Sequence, residues 1–474
     1  MATHNTFGEL GLSIIGLGAQ YPPNKLGPDE LAKLAGKFHS ESPAMERVLS
    51  INRFTGIETR SSVGTAEHPL VNHAEPPSIA ELHATFMSDG VPLAVEAARK
   101  ALAEARVDAS RVTHVVSTTC TDSANPGFDH YVARALGLRP DVEKTLLHGV
   151  GCAGGLAALR TAANLALGHR FRRRPARVLC VALEVSTTLV RSELDSIDRT
   201  QGTRIGACLF SDCASALVLS NGVAADDDDD DGDEPTAEPV YELLGWDHRV
   251  IPDTEADLGF DVDPVGWKVV LSQRVPKLTE QVLGPAFADL LAGVGPRLPG
   301  AYRAAPDFDW AMHPGGLTIL TNAERTLGIS PEHMRASYHR YMEHGNSSSA
   351  TIFSVMDHLR SKAMDAHAPG GRAREYVVGC AFGPGISVEM CMLKRNMGPR
   401  GVQTPPETDS EASRSDGGED DDRDWASLDG GEKTPPVSVD VSFDDTNRHL
   451  TTTTAASMCE DDFVSEALAS IELD

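Results

Sequence analysis

The sequence lacks any run of about 18 uninterrupted apolar residues, the least that spans a bilayer as a helix, so no membrane span is expected. Met1 to Leu12 contain neither a basic stretch nor a long apolar one, and no secretory signal is read there. Ile471 to Asp474 match no prenylation or peroxisomal tail. Cysteine is sparse as well. Eight cysteines are scattered over 474 residues with no CxxC pair, which speaks against both a disulfide framework and a structural zinc. Clustered cations are also missing, apart from Arg170, Arg172, Arg173, Arg174 and Arg177. That run lies between a helical pattern and a strand and is read as a solvated connection. A chain without basic clusters cannot neutralise a phosphate backbone, so nucleic acid is excluded as a partner. Together these absences describe a soluble protein of the cytoplasm.

What the sequence does hold in excess is acid, and it is unevenly placed. The formal charge is −27, from 42 Lys+Arg against 69 Asp+Glu. Residues 222–238 contribute −9 and residues 396–474 contribute −15, leaving the other 378 residues near neutral at −3. The acidity therefore belongs to two solvated segments and not to the body. Residues 222–238 read as a surface insert. Pro, Gly, Ser, Thr and Asp dominate 396 to about 455, too polar a composition to bury an apolar core, so this tail is expected to be disordered. Phe463, Val464, Ala467, Leu468 and Ile471 could form one short amphipathic helix at its end.

Between these segments, strand and helix patterns alternate. Leu12–Leu17, Val112–Cys120, Val178–Val185 and Ala207–Leu219 read as buried strands. Leu93–Ala105 has the helical period, with Ser88 or Asp89 available as a cap, and Gly154–Leu167 is a helix that Gly168 stops. The second half repeats the rhythm. Val275–Leu291 is a helix, Phe308–Met312 a strand, Thr318–Leu327 a helix, and Tyr376–Phe382 pairs with Ile386–Leu393 around Gly383-Pro384-Gly385. Both halves run strand, Gly-rich turn, helix, strand, strand. The pattern predicts a pseudo-duplicated α/β body with layered sheets. Its halves are residues 1–221 and 239–395, followed by the acidic tail, 396–474.

Three turns could carry chemistry. In Val150-Gly151-Cys152-Ala153-Gly154-Gly155, a thiol sits directly before a helix, where backbone N–H groups and the dipole lower a thiol pKa. A buried cysteine in a tight turn fits that fragment equally well. His313 ends a strand over Pro314-Gly315-Gly316, placed either to face a cavity or to be satisfied by its own turn. Asn346, in His344-Gly345-Asn346-Ser347-Ser348-Ser349, fits an N-cap as well as a catalytic donor. His344 beside it reads as an exposed helix end.

Cysteine, histidine and asparagine in this order resemble the thiolase-like condensing enzymes. Gly151-Cys152 with Gly154-Gly155, His313-Pro314-Gly315-Gly316, Gly345-Asn346 with Ser348, and Phe382-Gly383-Pro384-Gly385 narrow the resemblance to type III polyketide synthases, the chalcone synthase-like family. It covers about residues 10–395. Leu209-Phe210-Ser211-Asp212 and Cys120 to Pro126-Gly127 are similar to family segments too. Ketoacyl-ACP synthases of the third type carry His-Gln-Ala-Asn where this chain has His-Pro-Gly-Gly, which makes them the runner-up. A non-catalytic scaffold with a synthase-like body is the alternative from another class.

The resemblance implies an αβαβα layered thiolase-like fold, a homodimer, and acyl-CoA and malonyl-CoA as substrates with no cofactor and no metal. Cys152 would hold the acyl chain, and His313 and Asn346 would stabilise the enolate formed by decarboxylation of malonyl-CoA. Phe210 would be a gatekeeper phenylalanine. A second gatekeeper is missing, its place falling on Val269, which suits a medium- or long-chain fatty acyl starter. Products would be alkylpyrones, alkylresorcinols or resorcylic acids. Cys120, Ser348, Gly383 and Pro384 would line the substrate cavity, and Arg53, Arg60 and Thr318 would meet CoA. No metal-ligand constellation is visible.

Overall fold

A computed structural model describes residues 7–224, 237–263 and 266–398. Most of the acidic insert, nearly all of the acidic tail with its amphipathic end, and Cys459 lie outside the described residues. The described sheet has nine strands. They are β1 (Leu12–Gln20), β2 (His114–Thr118), β3 (Glu143–Leu147), β4 (Arg177–Val185), β5 (Asp212–Ser220), β6 (Tyr241–Val250), β7 (Asp309–Met312), β8 (Tyr376–Gly383) and β9 (Ser387–Arg395). Their order is β7-β8-β9-β6-β1-β5-β4-β2-β3.

The two halves meet where β1 and β6 pair antiparallel over three residues, Leu12 with Leu243, Ser13 with Glu242 and Ile14 with Tyr241. Outward from that seam the same series repeats on each side. One half pairs β1–β5 and β5–β4 antiparallel, then β4–β2 parallel. The other pairs β6–β9 and β9–β8 antiparallel, then β8–β7 parallel. This is a pseudo-twofold arrangement, with β3 added as an edge strand on the first half only.

Layering follows from burial on both sheet faces. Ala-rich α1 (Val91–Ala105) and α2 (Phe128–Leu136) cover one face of the first half, against Leu179, Val181 and Val218. Four further helices, α3 (Gly154–Phe171), α4 (Val275–Val294), α5 (Leu317–Leu327) and α6 (Thr351–Leu359), pack against the rest of the sheet. α4 and α5 cover the outer face of the second half around Trp310 and Phe287. α3 and α6 lie between the halves, in one core with Leu12, Leu217, Leu243 and Leu393. The order α, β, α, β, α is the thiolase-like layering the sequence predicts. Strands buried on both faces read as continuous apolar runs, which is why they were visible in the sequence.

Some local expectations need correction. α1 starts at Val91 after a π-helical turn, Phe86–Gly90, and neither Ser88 nor Asp89 caps it. α3 continues through Gly168 to Phe171, because a single glycine costs a helix only about 1 kcal/mol and packing outweighs that. Ala207–Leu219 divides into a helical turn, Gly206–Leu209, and β5, so Cys208 is helical. Among the described residues no helix is long and apolar enough to cross a membrane.

Candidate active site

Cys152 is delivered by a 3-10 turn, Gly151–Ala153, that leads into α3. Gly151 has φ +54° and packs so tightly on Pro384 that a Cβ there would stand 2.6 Å from the proline Cδ. Only glycine meets both demands without strain. At the next turn, a Cβ on Gly155 would stand 2.4 Å from Ile352 and 2.7 Å from the Ser349 carbonyl. The Gly154-Gly155 pair thus lets α3 close on the Asn346–Ser349 segment that leads into α6, bringing Cys152 to Asn346.

His313 follows β7 directly, and its backbone N–H donates to the Cys380 carbonyl at 2.8 Å. Its side chain is 1% exposed, and neither ring nitrogen has a hydrogen-bond partner. Asn346 is anchored at its backbone, which accepts from Ser211 at 2.9 Å and donates to Leu209 at 3.0 Å. Its amide orientation is fixed by chemistry: Oδ1 accepts from the Ser348 N–H at 2.8 Å, and Nδ2 donates to the Gly315 carbonyl at 3.2 Å. The second Nδ2 hydrogen is left for the cavity. Ser348 adopts φ +46°, a left-handed conformation held by the Asn346 contact.

Cys152, His313 and Asn346 all line one cavity of about 1190 Å³, its open mouth included. Phe210, Val269 and Thr318 line it too, and the remaining wall is mostly apolar, with Ile205, Leu209, Leu258, Leu271, Ile319 and Phe382. Burial pushes the Cys152 thiol up to about 11, although Ser348, whose hydroxyl is 3.5 Å away, and Asn346 favour the thiolate. The expected lowering by the helix start is thus outweighed by desolvation. Burial draws His313 down to about 3. At neutral pH the pair rests as thiol and neutral imidazole, each one proton transfer from its reactive form.

Cys120, Ser348, Gly383 and Pro384 stand behind Cys152 and are not on the cavity wall. Cys120 Sγ is held between Ser348 Oγ and Glu184 Oε2, each at 3.4 Å. Glu184 went unread in the sequence. It is fully buried at the end of β4 and accepts from the Cys120 N–H at 3.1 Å, the Thr121 hydroxyl at 3.0 Å and the Ser349 hydroxyl. Burial raises its pKa. A carboxylate closing an apolar strand was the available signal.

The aromatic gate also differs from expectation. Phe260, register partner of Val269 in the hairpin Leu258–Asp263 and Gly266–Leu271, sets its ring edge-on to Phe210 with centroids 5.8 Å apart. A second ring is therefore present, one strand over. Val269 is gripped from behind. Its N–H donates to Glu193 Oε1 at 3.2 Å, and its carbonyl accepts from Arg204 at 3.0 Å. Glu193 is buried, and desolvation raises its pKa to about 7.

Of the expected CoA contacts, Thr318 is on the cavity wall, and Arg53 is exposed beside the lining residues Ile51 and Phe54. Arg60 is not available: it is 8% exposed and its guanidinium donates to the Ala207 carbonyl. An unanticipated cation, Arg274, is exposed beside the lining residues Ser272 and Val275. His344 is buried, stacked on Tyr21 at 3.6 Å, because the chain turns inward at Gly345. Separate in sequence and so not visible as a motif, His114, Glu143 and His169 come together away from the residues that line the cavity.

Comparison with known proteins agrees with this geometry. Residues 46–223 match the N-terminal domain, and residues 242–397 the C-terminal domain, of chalcone and stilbene synthases. The type III polyketide synthase pspB of Penicillium soppii is 41% identical over 399 residues, covering 81% of this chain and 96% of that protein. The acylalkylpyrone synthase csyB of Aspergillus oryzae is 37% identical over 386 residues, covering 81% and 94%. A crystal structure of a type III pentaketide synthase from Neurospora crassa is 66% identical, with TM-score 0.79, and covers 81% of this chain and all of that one. The chain belongs to the chalcone and stilbene synthase family. It is a type III polyketide synthase, an acyltransferase.

Proposed function

We propose that this synthase loads a medium- or long-chain fatty acyl group from CoA onto Cys152 and extends it with malonyl-CoA. Cyclisation then gives alkylpyrone, alkylresorcinol or resorcylic acid products. The observation that carries the reading is the convergence of Cys152, His313 and Asn346 on one predominantly apolar cavity. His313 takes the thiol proton as Sγ attacks the acyl thioester, and CoA leaves as its thiol. When malonyl-CoA follows, the carbon–carboxylate electron pair moves into the thioester carbonyl as CO2 departs. The resulting enolate oxygen receives hydrogen bonds from His313 and the free Nδ2 hydrogen of Asn346. The enolate carbon attacks the acyl thioester carbonyl on Cys152 and expels the Cys152 thiolate, giving a β-ketoacyl-CoA. Transfer of that chain back to Cys152 with release of CoA starts the next round.

The charge that develops is met by these two donors, so the reaction as proposed needs no cofactor. The csyB relative, named an acylalkylpyrone synthase, supports an acyl starter, and the Neurospora relative supports a chain of pentaketide length. A crystal structure of csyB with CoA supports CoA thioesters as substrates. Arg53 and Arg274 are proposed to meet the CoA phosphates at the mouth. Among the described residues, the edge strand β3 has one side without a partner strand, and pairing it with a second copy would form the homodimer. The protein is proposed to act in the cytoplasm.

Intact-protein mass spectrometry after incubation with a fatty acyl-CoA tests the loading step. An acyl adduct that maps to Cys152 and is missing in Cys152→Ala is the expected result. An adduct on another cysteine would overturn the assignment.

A further inference from the structure

At the far end of α3 from Cys152, the ligand atoms of His114, Glu143 and His169 all lie within 4.8 Å of one another. His114 opens β2, and Glu143, its register partner, opens the edge strand β3, so both side chains lie on one face. His169 belongs to the last turn of α3.

His114 is held at one ring nitrogen: Nδ1 lies 2.8 Å from the Thr113 hydroxyl, which also lies 3.1 Å from the Arg177 carbonyl and accepts from the Arg177 N–H. The other nitrogen, Nε2, faces Glu143. This Nε2 is buried without a hydrogen-bond partner, on a side chain 2% exposed, and lies 3.8 Å from a Glu143 carboxylate oxygen. His169 Nδ1 is likewise buried and unpartnered, and the two imidazoles meet edge to face at 4.6 Å. Two buried imidazole nitrogens thus lack a hydrogen-bond partner beside a carboxylate oxygen, and a cation placed among them would supply the missing partner.

We propose that His114 Nε2, His169 Nδ1 and the Glu143 carboxylate form a binding site for a divalent transition metal of the zinc class. Two imidazoles and a carboxylate suit such an ion, with water as the fourth tetrahedral ligand. The Thr113 contact is the outer hydrogen bond that orients a metal-ligating histidine. The 18 residues of α3 place this site roughly 27 Å from Cys152. The ion therefore takes no part in condensation. It ties the end of the helix that presents Cys152 to the starts of β2 and β3.

The test uses the full chain stripped by a chelator and titrated with Co2+. The wild type is expected to develop the visible absorption of tetrahedral cobalt, to lose it on addition of Zn2+, and to melt at a higher temperature with Zn2+ than without. Glu143→Gln and His169→Gln should lose the band and the thermal shift while malonyl-CoA turnover stays at the wild-type rate. A wild type without the band would overturn the proposal. So would a band that survives in both variants, which would place the metal on other histidines. Because stripped protein is assayed for turnover in parallel, loss of the condensation reading would be seen separately.

Discussion

Glu193 accepts the backbone N–H of Val269, so a buried carboxylate sets the position of a cavity-wall residue it does not share the cavity with. Arg204 holds the carbonyl of the same residue. Removing a charged partner from a buried N–H costs roughly 1.5–3 kcal/mol, enough to release the hairpin. Glu193→Gln is expected to broaden starter selectivity with Cys152 loading intact. The pH dependence has a definite sign. Burial raises the Glu193 pKa from 4.5 to about 7, so its contribution to stability is full below pH 4.5 and is lost as pH rises through 7. The carboxylate that pairs with Arg204 forms over the same range. Selectivity should be sharper at pH 8 than at pH 6 in the wild type and flat in the variant, as measured by product profiling with mixed acyl-CoAs.

Phe260 is predicted to narrow the passage together with Phe210. The aromatic pair contributes about 0.5–1.5 kcal/mol beyond burial, so Phe260→Ala should still fold. It is expected to accept bulkier or longer starters, read as a shift in relative kcat/KM across an acyl-CoA series. An unchanged series would remove Phe260 from the gate.

The protonation state of Cys152, the proposed nucleophile, can be read directly. With Cys152 near 11 and His313 near 3, the substrate-free pair is neutral at pH 7. Iodoacetamide alkylation of Cys152 should therefore keep accelerating as pH rises through the alkaline range. A rate already at its plateau below pH 7 would mean that a thiolate–imidazolium pair forms before substrate binds.

Gly151 offers a backbone test. Gly151→Ala forces an L-residue into φ +54°, about 1–2 kcal/mol of strain, and adds a carbon 2.6 Å from Pro384. Condensation is expected to fall by more than about tenfold while circular dichroism stays native, since the displaced atom is the thiol and not the core.

Cys152, His313 and Asn346, the residues proposed as catalytic, were each ambiguous alone; their order on three Gly/Ser-rich turns, together with the family resemblance, singled them out in the sequence. The layered halves were legible because doubly buried strands and helices keep their periods. Phe260 was not, since its contact with Phe210 depends on which residues face each other across a hairpin. Glu193, Glu184 and Arg204 act through the backbone of distant residues, and no spacing encodes that. His344 was read as exposed because a polar side chain at a helix end is usually solvated, whereas Arg60 was carried over from the resemblance; here the fold gives the Tyr21 ring to one and the Ala207 carbonyl to the other.

The most direct test of the account is turnover of radiolabelled malonyl-CoA with acyl-CoA starters of increasing length, wild type beside Cys152→Ala. The account predicts labelled pyrone or resorcinol products that peak with medium- or long-chain starters and vanish in the variant. A folded wild type that condenses no starter, or a Cys152→Ala enzyme that still makes product, would contradict it.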